Sequence, residues 1–319
     1  MSKHLLITGG AGFIGANFIS YILKNTRYSI TNADALTYAG NFDHCRPFQT
    51  SERYRFIKSD IGKNDQTDRL FDQKYDAIIN FAAETHVDRS IIDASPFIHT
   101  NINGTFHLLQ AVLAGKADKM LQISTDEVYG SLGPDEEPFT ESTPLTPNNP
   151  YSASKASADL LIRSYYQTHQ LPLLITRCSN NYGPMQHPEK FIPKVITNAL
   201  RKKEIPLYGD GLNIRDWIFV EDHCAAIHRV LEAGKPGEIY NIGGNEERTN
   251  KDVIQMILKQ TGRNEKLIKY VVDRSGHDRR YAMNSAKMER ELGWKPVISF
   301  HDGIERTIRW YKQMLHESR

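Results

Sequence analysis

Through the first half of the chain, short apolar runs alternate with longer stretches of helical periodicity. His4-Leu5-Leu6-Ile7, Tyr28-Ser29-Ile30-Thr31, Tyr54-Arg55-Phe56-Ile57, Asp76-Ala77-Ile78-Ile79-Asn80-Phe81-Ala82-Ala83, Met120-Leu121-Gln122-Ile123 and Leu173-Leu174-Ile175-Thr176-Arg177 read as strands. Between them, Ile14, Phe18, Tyr21 and Ile22 keep helical spacing, and a polar helix is expected near residues 63 to 73. Phe106, Leu109 and Leu113 mark the apolar face of a helix that starts near Ser95-Pro96 and ends at Gly115, and a further helix runs from Tyr151 to about His169. Alternating strands and helices of this kind build an α/β fold around a parallel, doubly wound sheet.

The rhythm changes after Cys178. Asn180-Asn181-Tyr182-Gly183-Pro184 opens a loop, and short elements follow, separated by glycine, proline and asparagine. The chain therefore divides into a larger lobe over residues 1–178 and a smaller C-terminal α/β lobe over 179–319, with crossings between them allowed. In the second lobe a helix is expected from Phe191 to Lys203 and a strand from Arg215 to Val220. Ile304, Ile308, Tyr311 and Leu315 make the C-terminal helix amphipathic, with a packing role only. The segment from Gly133 to Pro150, rich in proline, acid and asparagine, reads as a surface loop lying over a cleft.

Composition narrows the functional classes. Lys and Arg number 40 against 38 Asp and Glu, a formal charge of +2, with no long basic block, so no nucleic-acid footprint is present. Three cysteines, Cys45, Cys178 and Cys224, show no Cys-x-x-Cys spacing, which argues against a disulfide framework and against structural zinc. Met1-Ser2-Lys3 leads into an apolar strand without a secretory core, and no apolar run reaches membrane-spanning length, so a soluble cytoplasmic protein is expected.

The first strand runs directly into Thr8-Gly9-Gly10-Ala11-Gly12-Phe13-Ile14-Gly15 and then a helix. Glycines at 9, 12 and 15 in that context form a dinucleotide fingerprint, because side chains there would block the pyrophosphate that the helix N-terminus attracts. Asp34, about 20 residues further on at the end of the second strand, suits the adenosine ribose hydroxyls and favours NAD over NADP, although Arg46 stands near in sequence. The fold class is thus Rossmann-type.

The fifth strand delivers Thr125, Asp126 and Glu127 past its C-terminal end, the edge where open α/β sheets bind ligands. Tyr151 and Lys155 sit four apart on an expected helix, so the ammonium is placed to lower the phenol's pKa from about 10 and make it a base. Spacing alone proves little: Tyr54 and Lys58 share it within a strand. His86, in the loop after Phe81-Ala82-Ala83, has two equal readings, a contact to a substrate phosphate or simple exposure. Tyr208 can stack on a base and Arg215 can clamp a phosphate, each with a structural alternative. Arg274, His277, Arg279 and Arg280 make a loop of cations suited to a diphosphate or merely solvated.

With these motifs in this order, the chain resembles the extended short-chain dehydrogenase/reductases that act on nucleotide sugars. The likeness runs from the glycine loop through Asn80-Phe81-Ala82-Ala83-Glu84-Thr85-His86-Val87-Asp88-Arg89-Ser90 to Gly276-His277-Asp278-Arg279-Arg280-Tyr281. Thr125-Asp126-Glu127 matches the triplet that separates the dehydratases of the family from its epimerases. The resemblance implies a lyase acting on dTDP-glucose, with a UDP-sugar dehydratase or decarboxylase and a non-catalytic NAD-binding sensor as rival readings. It implies cofactor contacts at Gly9, Gly12, Phe13, Ile14, Gly15, Asp34, Asp60, Ile61, Ala82, Tyr151 and Lys155. Catalysis would fall to Thr125, Asp126, Glu127, Tyr151 and Lys155, without a metal. Substrate contacts are implied at His86, Asn180, Glu189, Lys190, Tyr208, Arg215, Asn250, Arg274 and His277, and a homodimer through helices at 95 to 115 and 152 to 169. The loop between Tyr129 and Pro150 is short for the family.

Overall fold

A computed structural model describes residues 2–273 and 278–317. Its strands are β1 (His4–Thr8), β2 (Ser29–Asp34), β3 (Tyr54–Lys58), β4 (Ala77–Asn80), β5 (Met120–Thr125), β6 (Leu173–Cys178), β7 (Asn180–Tyr182), β8 (Ile205–Tyr208), β9 (Ile214–Phe219), β10 (Ile239–Ile242), β11 (Glu247–Thr249) and β12 (Ile268–Val271). Seven form one parallel sheet in the order β10-β6-β5-β4-β1-β2-β3. The order reverses direction between β1 and β4, which opens a crevice at their C-terminal ends for a ligand. The remaining strands form a three-stranded sheet, β11-β9-β7, and a β12-β8 pair.

The helices are α1 (Phe13–Asn25), α2 (Asn64–Asp68), α3 (Val87–Ile92), α4 (Ser95–Phe97), α5 (Thr105–Leu113), α6 (Pro150–His169), α7 (Phe191–Leu200), α8 (Val220–Ala233), α9 (Asn250–Thr261), α10 (Ala286–Leu292) and α11 (Phe300–Glu317). A π-helical turn, Ile98–Gly104, joins α4 to α5. Because side chains alternate along a strand, Leu5, Ile7 and Ile79 enter one core with α1 and α8, while Leu6, Ile78 and Met120 enter another with α5 and α6. A third core joins α7, α9 and α11 to β9.

The chain does not leave the large sheet for good at Cys178. It passes through β7 to β9, then α8 packs against α1, and β10 pairs with β6 in parallel. Several expectations need correction. The polar helix near 63 to 73 is only the five residues of α2, since the chain must turn to let Tyr75 bridge to Ala117 and donate to Leu70 O at 2.8 Å. On α5, Leu109 is buried but Phe106 and Leu113 are exposed, and the inward face is Leu108, Leu109 and Val112. The π turn rotates the phase that an uninterrupted helix from residue 95 would carry. The Gly133–Pro150 segment is largely at the surface, as expected, and its Asn149 end bonds Glu127, but it is anchored by Phe139, buried with Tyr129, Leu132, Tyr281 and Met283. The helix from Phe191 stops at Leu200, before Lys203. Among the described residues no helix is long and apolar enough to cross a membrane.

Candidate active site

β1 ends in a turn whose first glycine has φ +74°, and a Cβ there would lie 2.5 Å from Ala82 N on the loop after β4. A Cβ at Gly15 would meet Gly9 O at 2.4 Å. Both positions are therefore closed to side chains, and the turn lies against the head of α1. α1 has neither a side-chain cap nor an acid in its first turn, so its leading N–H groups stay open to an anion. Asp34, at the end of β2, is buried and accepts from Ala11 N at 2.9 Å and Leu36 N at 2.8 Å, while burial raises its pKa. Asp60 is braced by Gly62 N at 2.9 Å and His99 Nε2 at 3.2 Å.

These groups line a cavity of about 970 Å³, within the usual range for ligand pockets. It reaches from Gly9, Gly12, Phe13, Ile14, Gly15, Asp34, Asp60, Ile61 and Ala82 to Thr125, Asp126, Glu127, Tyr151 and Lys155, and on to His86, Asn180 and Lys190. The walls suit a dinucleotide: a glycine turn under open helix N–H groups, a carboxylate at the end of β2, and a hydroxyl and a lysine at the far end.

The reactive end is built by two elements. β5 ends at Thr125, and a 3-10 turn follows over Asp126–Tyr129, with Glu127 N donating to Thr125 Oγ1 at 3.3 Å. Opposite, Asn149 and Ser152 form a capping box and Pro150 occupies the first turn of α6, which fixes where Tyr151 and Lys155 begin. Thr125 Oγ1 donates to Asp126 Oδ1 at 3.1 Å, while Asp126 Oδ2 is buried without a partner among the described residues. Burial, with Glu127 adding to it, holds the Asp126 carboxyl well above its ordinary range, which favours its protonated, donating form. Burial also raises Glu127, but the Lys190 and Arg215 cations oppose it. Two adjacent acids are thereby set apart in proton affinity.

The expected help from Lys155 to Tyr151 is not found in this arrangement. Burial pushes the phenol well above its ordinary value, Glu127 adds to this, and only the Thr125 hydroxyl opposes it among the main influences. Lys155 Nζ instead donates to Ile123 O at 2.6 Å. Helical spacing put the two groups on one face but could not show that a strand carbonyl would take the ammonium.

The other expected substrate residues divide. Glu189 stands outside the cavity wall, with oxygens 3.7 Å from His86 Nε2, 3.5 Å from Arg89 Nη2 and 3.8 Å from His187 Nδ1. Arg215 lies over the Tyr281 ring at 4.5 Å and donates to Asp278 O at 2.9 Å, outside the wall but near enough to influence both acids. Tyr208 and Asn250 also stand off the wall, Asn250 N bonding Asn213 O at 3.0 Å. Arg274 and His277 lie outside the described residues.

Other wall residues escaped sequence reasoning. Cys178 is the register partner of Thr125 across β5 and β6, and the strand-end rule that picked out Thr125 would have found it. Trp310, Tyr311 and Met314 of α11 also line the cavity, which corrects the packing-only role; the Tyr311 hydroxyl donates to Gln186 O. Nothing in an amphipathic stripe distinguishes a core from a pocket wall.

A glycine turn at the switch point, an acid after β2 and a Tyr-x-x-x-Lys helix facing a strand-end hydroxyl define the short-chain dehydrogenase/reductase class. The chain belongs, within that class, to the GDP-mannose 4,6 dehydratase family, whose sequence profile matches residues 6–307. It is 51% identical over 307 residues to the low-salt glycan biosynthesis protein Agl12 of Haloferax volcanii, covering 96% of this chain and 98% of that one. It is 48% identical over 330 residues to the dTDP-glucose 4,6-dehydratase of Neisseria gonorrhoeae, covering 97% and 95%. The crystal structure of the Bacillus anthracis dTDP-glucose 4,6-dehydratase in complex with NAD superimposes with a TM-score of 0.91 at 49% identity, covering 98% of this chain and 97% of that one.

Proposed function

We propose that the protein is an NAD-dependent hydro-lyase that converts dTDP-glucose to dTDP-4-keto-6-deoxyglucose. The observation that carries this reading is the acid pair at the end of β5. Burial raises the proton affinity of both, most strongly that of Asp126, while at Glu127 the Lys190 and Arg215 cations oppose the rise. A simple oxidoreductase has no use for such a pair, whereas removing water across C5 and C6 needs one base and one acid.

The large lobe would hold the cofactor through Gly9, Gly12, Phe13, Ile14, Gly15, Asp34, Asp60, Ile61 and Ala82. The smaller lobe would hold the nucleotide diphosphate. NAD, when bound, supplies the hydride acceptor and returns the hydride, and its oxidised ring carries the positive charge that favours ionisation of a buried phenol. Tyr151 takes the proton of the C4 hydroxyl, Thr125 positions that oxygen, and Lys155 holds the nicotinamide ribose. With C4 a ketone the C5 proton becomes acidic, and Glu127 removes it. Asp126 gives its proton to the departing C6 hydroxyl. His86, Asn180, Glu189, Lys190, Tyr208, Arg215 and Asn250 would surround the nucleotide, Glu189 and Arg215 after exchanging their present partners.

The protein also reads as a cytoplasmic homodimer. Ile98, Phe106, Leu113 and Leu160 stand exposed on the two helical segments the dimer would use, and all three cysteines are free and buried, as suits a reducing compartment.

The test follows product and isotope together. Purified protein should convert dTDP-glucose to the 4-keto sugar without accumulating NADH. Glu127→Gln should abolish exchange of the C5 hydrogen with deuterated solvent, and Asp126→Asn should slow loss of the C6 hydroxyl while exchange stays measurable. Stoichiometric NADH release, or turnover of UDP-glucose in preference, would replace the reading.

A further inference from the structure

Behind the Lys155 ammonium, the mechanism leaves one buried charged assembly without a task. Asp159 and Arg177 form an ion pair at 2.9 Å, and their side chains are only 1% and 4% exposed. Such a pair seldom adds stability over apolar residues of equal volume, because desolvating both charges offsets their attraction. Its use is better sought in its position. Asp159 lies one helical turn beyond Lys155 on α6, on the same face. Its Oδ2 accepts from Ser124 Oγ at 3.1 Å and from Arg177 Nε at 2.9 Å, and these two residues are register partners on β5 and β6. Its Oδ1 is buried without a partner among the described residues, so the carboxylate is not used up by those bonds. Arg177 Nη1 donates onward to Tyr129 Oη at 2.9 Å, and Tyr129 closes the turn that carries Asp126 and Glu127. The Tyr129 hydroxyl in turn donates to Asn241 Oδ1 at 2.8 Å.

We propose that Asp159, clamped by Ser124 and Arg177, is a positioning residue that holds buried Lys155 as an ammonium, with the Arg177–Tyr129 arm tying that charge to the acid-pair turn. Burial lowers the pKa of Lys155, and the groups that raise it again are Asp159 on its own helix and Cys178 from β6. Burial raises the pKa of Asp159, and Arg177 and Lys155, with the Ser124 hydroxyl, oppose that rise in favour of the carboxylate, while the π turn packed on α6 contributes the neutral Asn101, which donates to Ser154 Oγ at 2.8 Å. An ammonium that lost the carboxylate would give up its proton more readily. The alkaline limb of the rate would then move toward neutral pH.

The inference rests on Lys155 acting as assigned above, and its test has a readout independent of turnover. Asp159→Asn should shift the alkaline limb of kcat/KM down by about one to two pH units, with KM for the nucleotide sugar unchanged below the shifted limb. Asp159→Glu should restore it. The pH dependence of NAD affinity, followed by titration, should shift in the same way even if dTDP-glucose proves not to be the substrate. A uniform fall in rate with an unmoved limb would mean that Asp159 is only structural. Should the Asn variant fail to fold, the Lys155 side-chain NMR signal of the unaltered protein decides: titration below neutral pH overturns the proposal, and persistence of the ammonium above it supports the clamp.

Discussion

The two halves of the cavity are made of different materials. The half around Gly9 and α1 is backbone: a turn that excludes side chains, open N–H groups, and an aspartate already bonded to two amides. The half toward the smaller lobe is side chain. On the wall Lys190 donates to Thr85 O at 3.2 Å, and just behind it Arg215 is stacked on Tyr281 and Glu189 sits among two histidines and Arg89. The first half is complete before any ligand arrives. The second must exchange internal partners for external ones, so it is the half where affinity is most open to change.

That contrast can be broken most severely at the junction. Tyr151→Phe should lower turnover by about 10² to 10⁴-fold while both halves bind normally, because the hydroxyl acts in the transition state. Steady-state kinetics with separate binding titrations would show it, and lost affinity would instead make Tyr151 part of one half. On the side-chain half, Arg215→Ala should raise KM by roughly ten- to a hundredfold through a lost charge-assisted bond of about 1.5 to 3 kcal/mol. An unchanged KM would leave Arg215 with its stacking role on Tyr281.

On the backbone half the expected change is in stability. Gly9→Ala puts a Cβ 2.5 Å from a main-chain nitrogen at positive φ, which should cost more than about 1 kcal/mol and lower the melting temperature by a few degrees, together with NAD affinity. Thermal melts with and without NAD would separate the two losses. The smallest effect concerns pH. Because the folded-state pKa of Asp126 is raised, its contribution to stability is present in acid and lost as pH rises through that pKa. Asp126→Asn should therefore match the unaltered protein in acid and exceed it in melting temperature under alkaline conditions.

The same division explains what could be read in advance. β1, the glycine turn, β4 and β5 announce themselves because strands buried on both faces are apolar throughout and the turn admits only glycine. Asp34 and Thr125 follow from the rule that ligands gather at strand ends. Side-chain partnerships gave no such signal. No spacing shows that Ile123 O would take the Lys155 ammonium, that Phe139 would be buried beside Tyr129, or that Trp310 and Met314 would reach the cavity from almost two hundred residues beyond Thr125. A seven-residue π turn likewise cannot be seen in a hydrophobic stripe, and it displaced Phe106 and Leu113 to the surface.

The late return of β10 to the large sheet bears on how such a protein could be taken apart. Cut after Cys178, the first part would lose the strand that covers the edge of β6, along with α8, which covers α1. An uncovered parallel edge invites pairing with other chains. The piece carrying the cofactor half is therefore not a transplantable module: a chimaera meant to exchange the sugar-facing half has to keep residues 220–242 with the first part and replace the segments on either side of them.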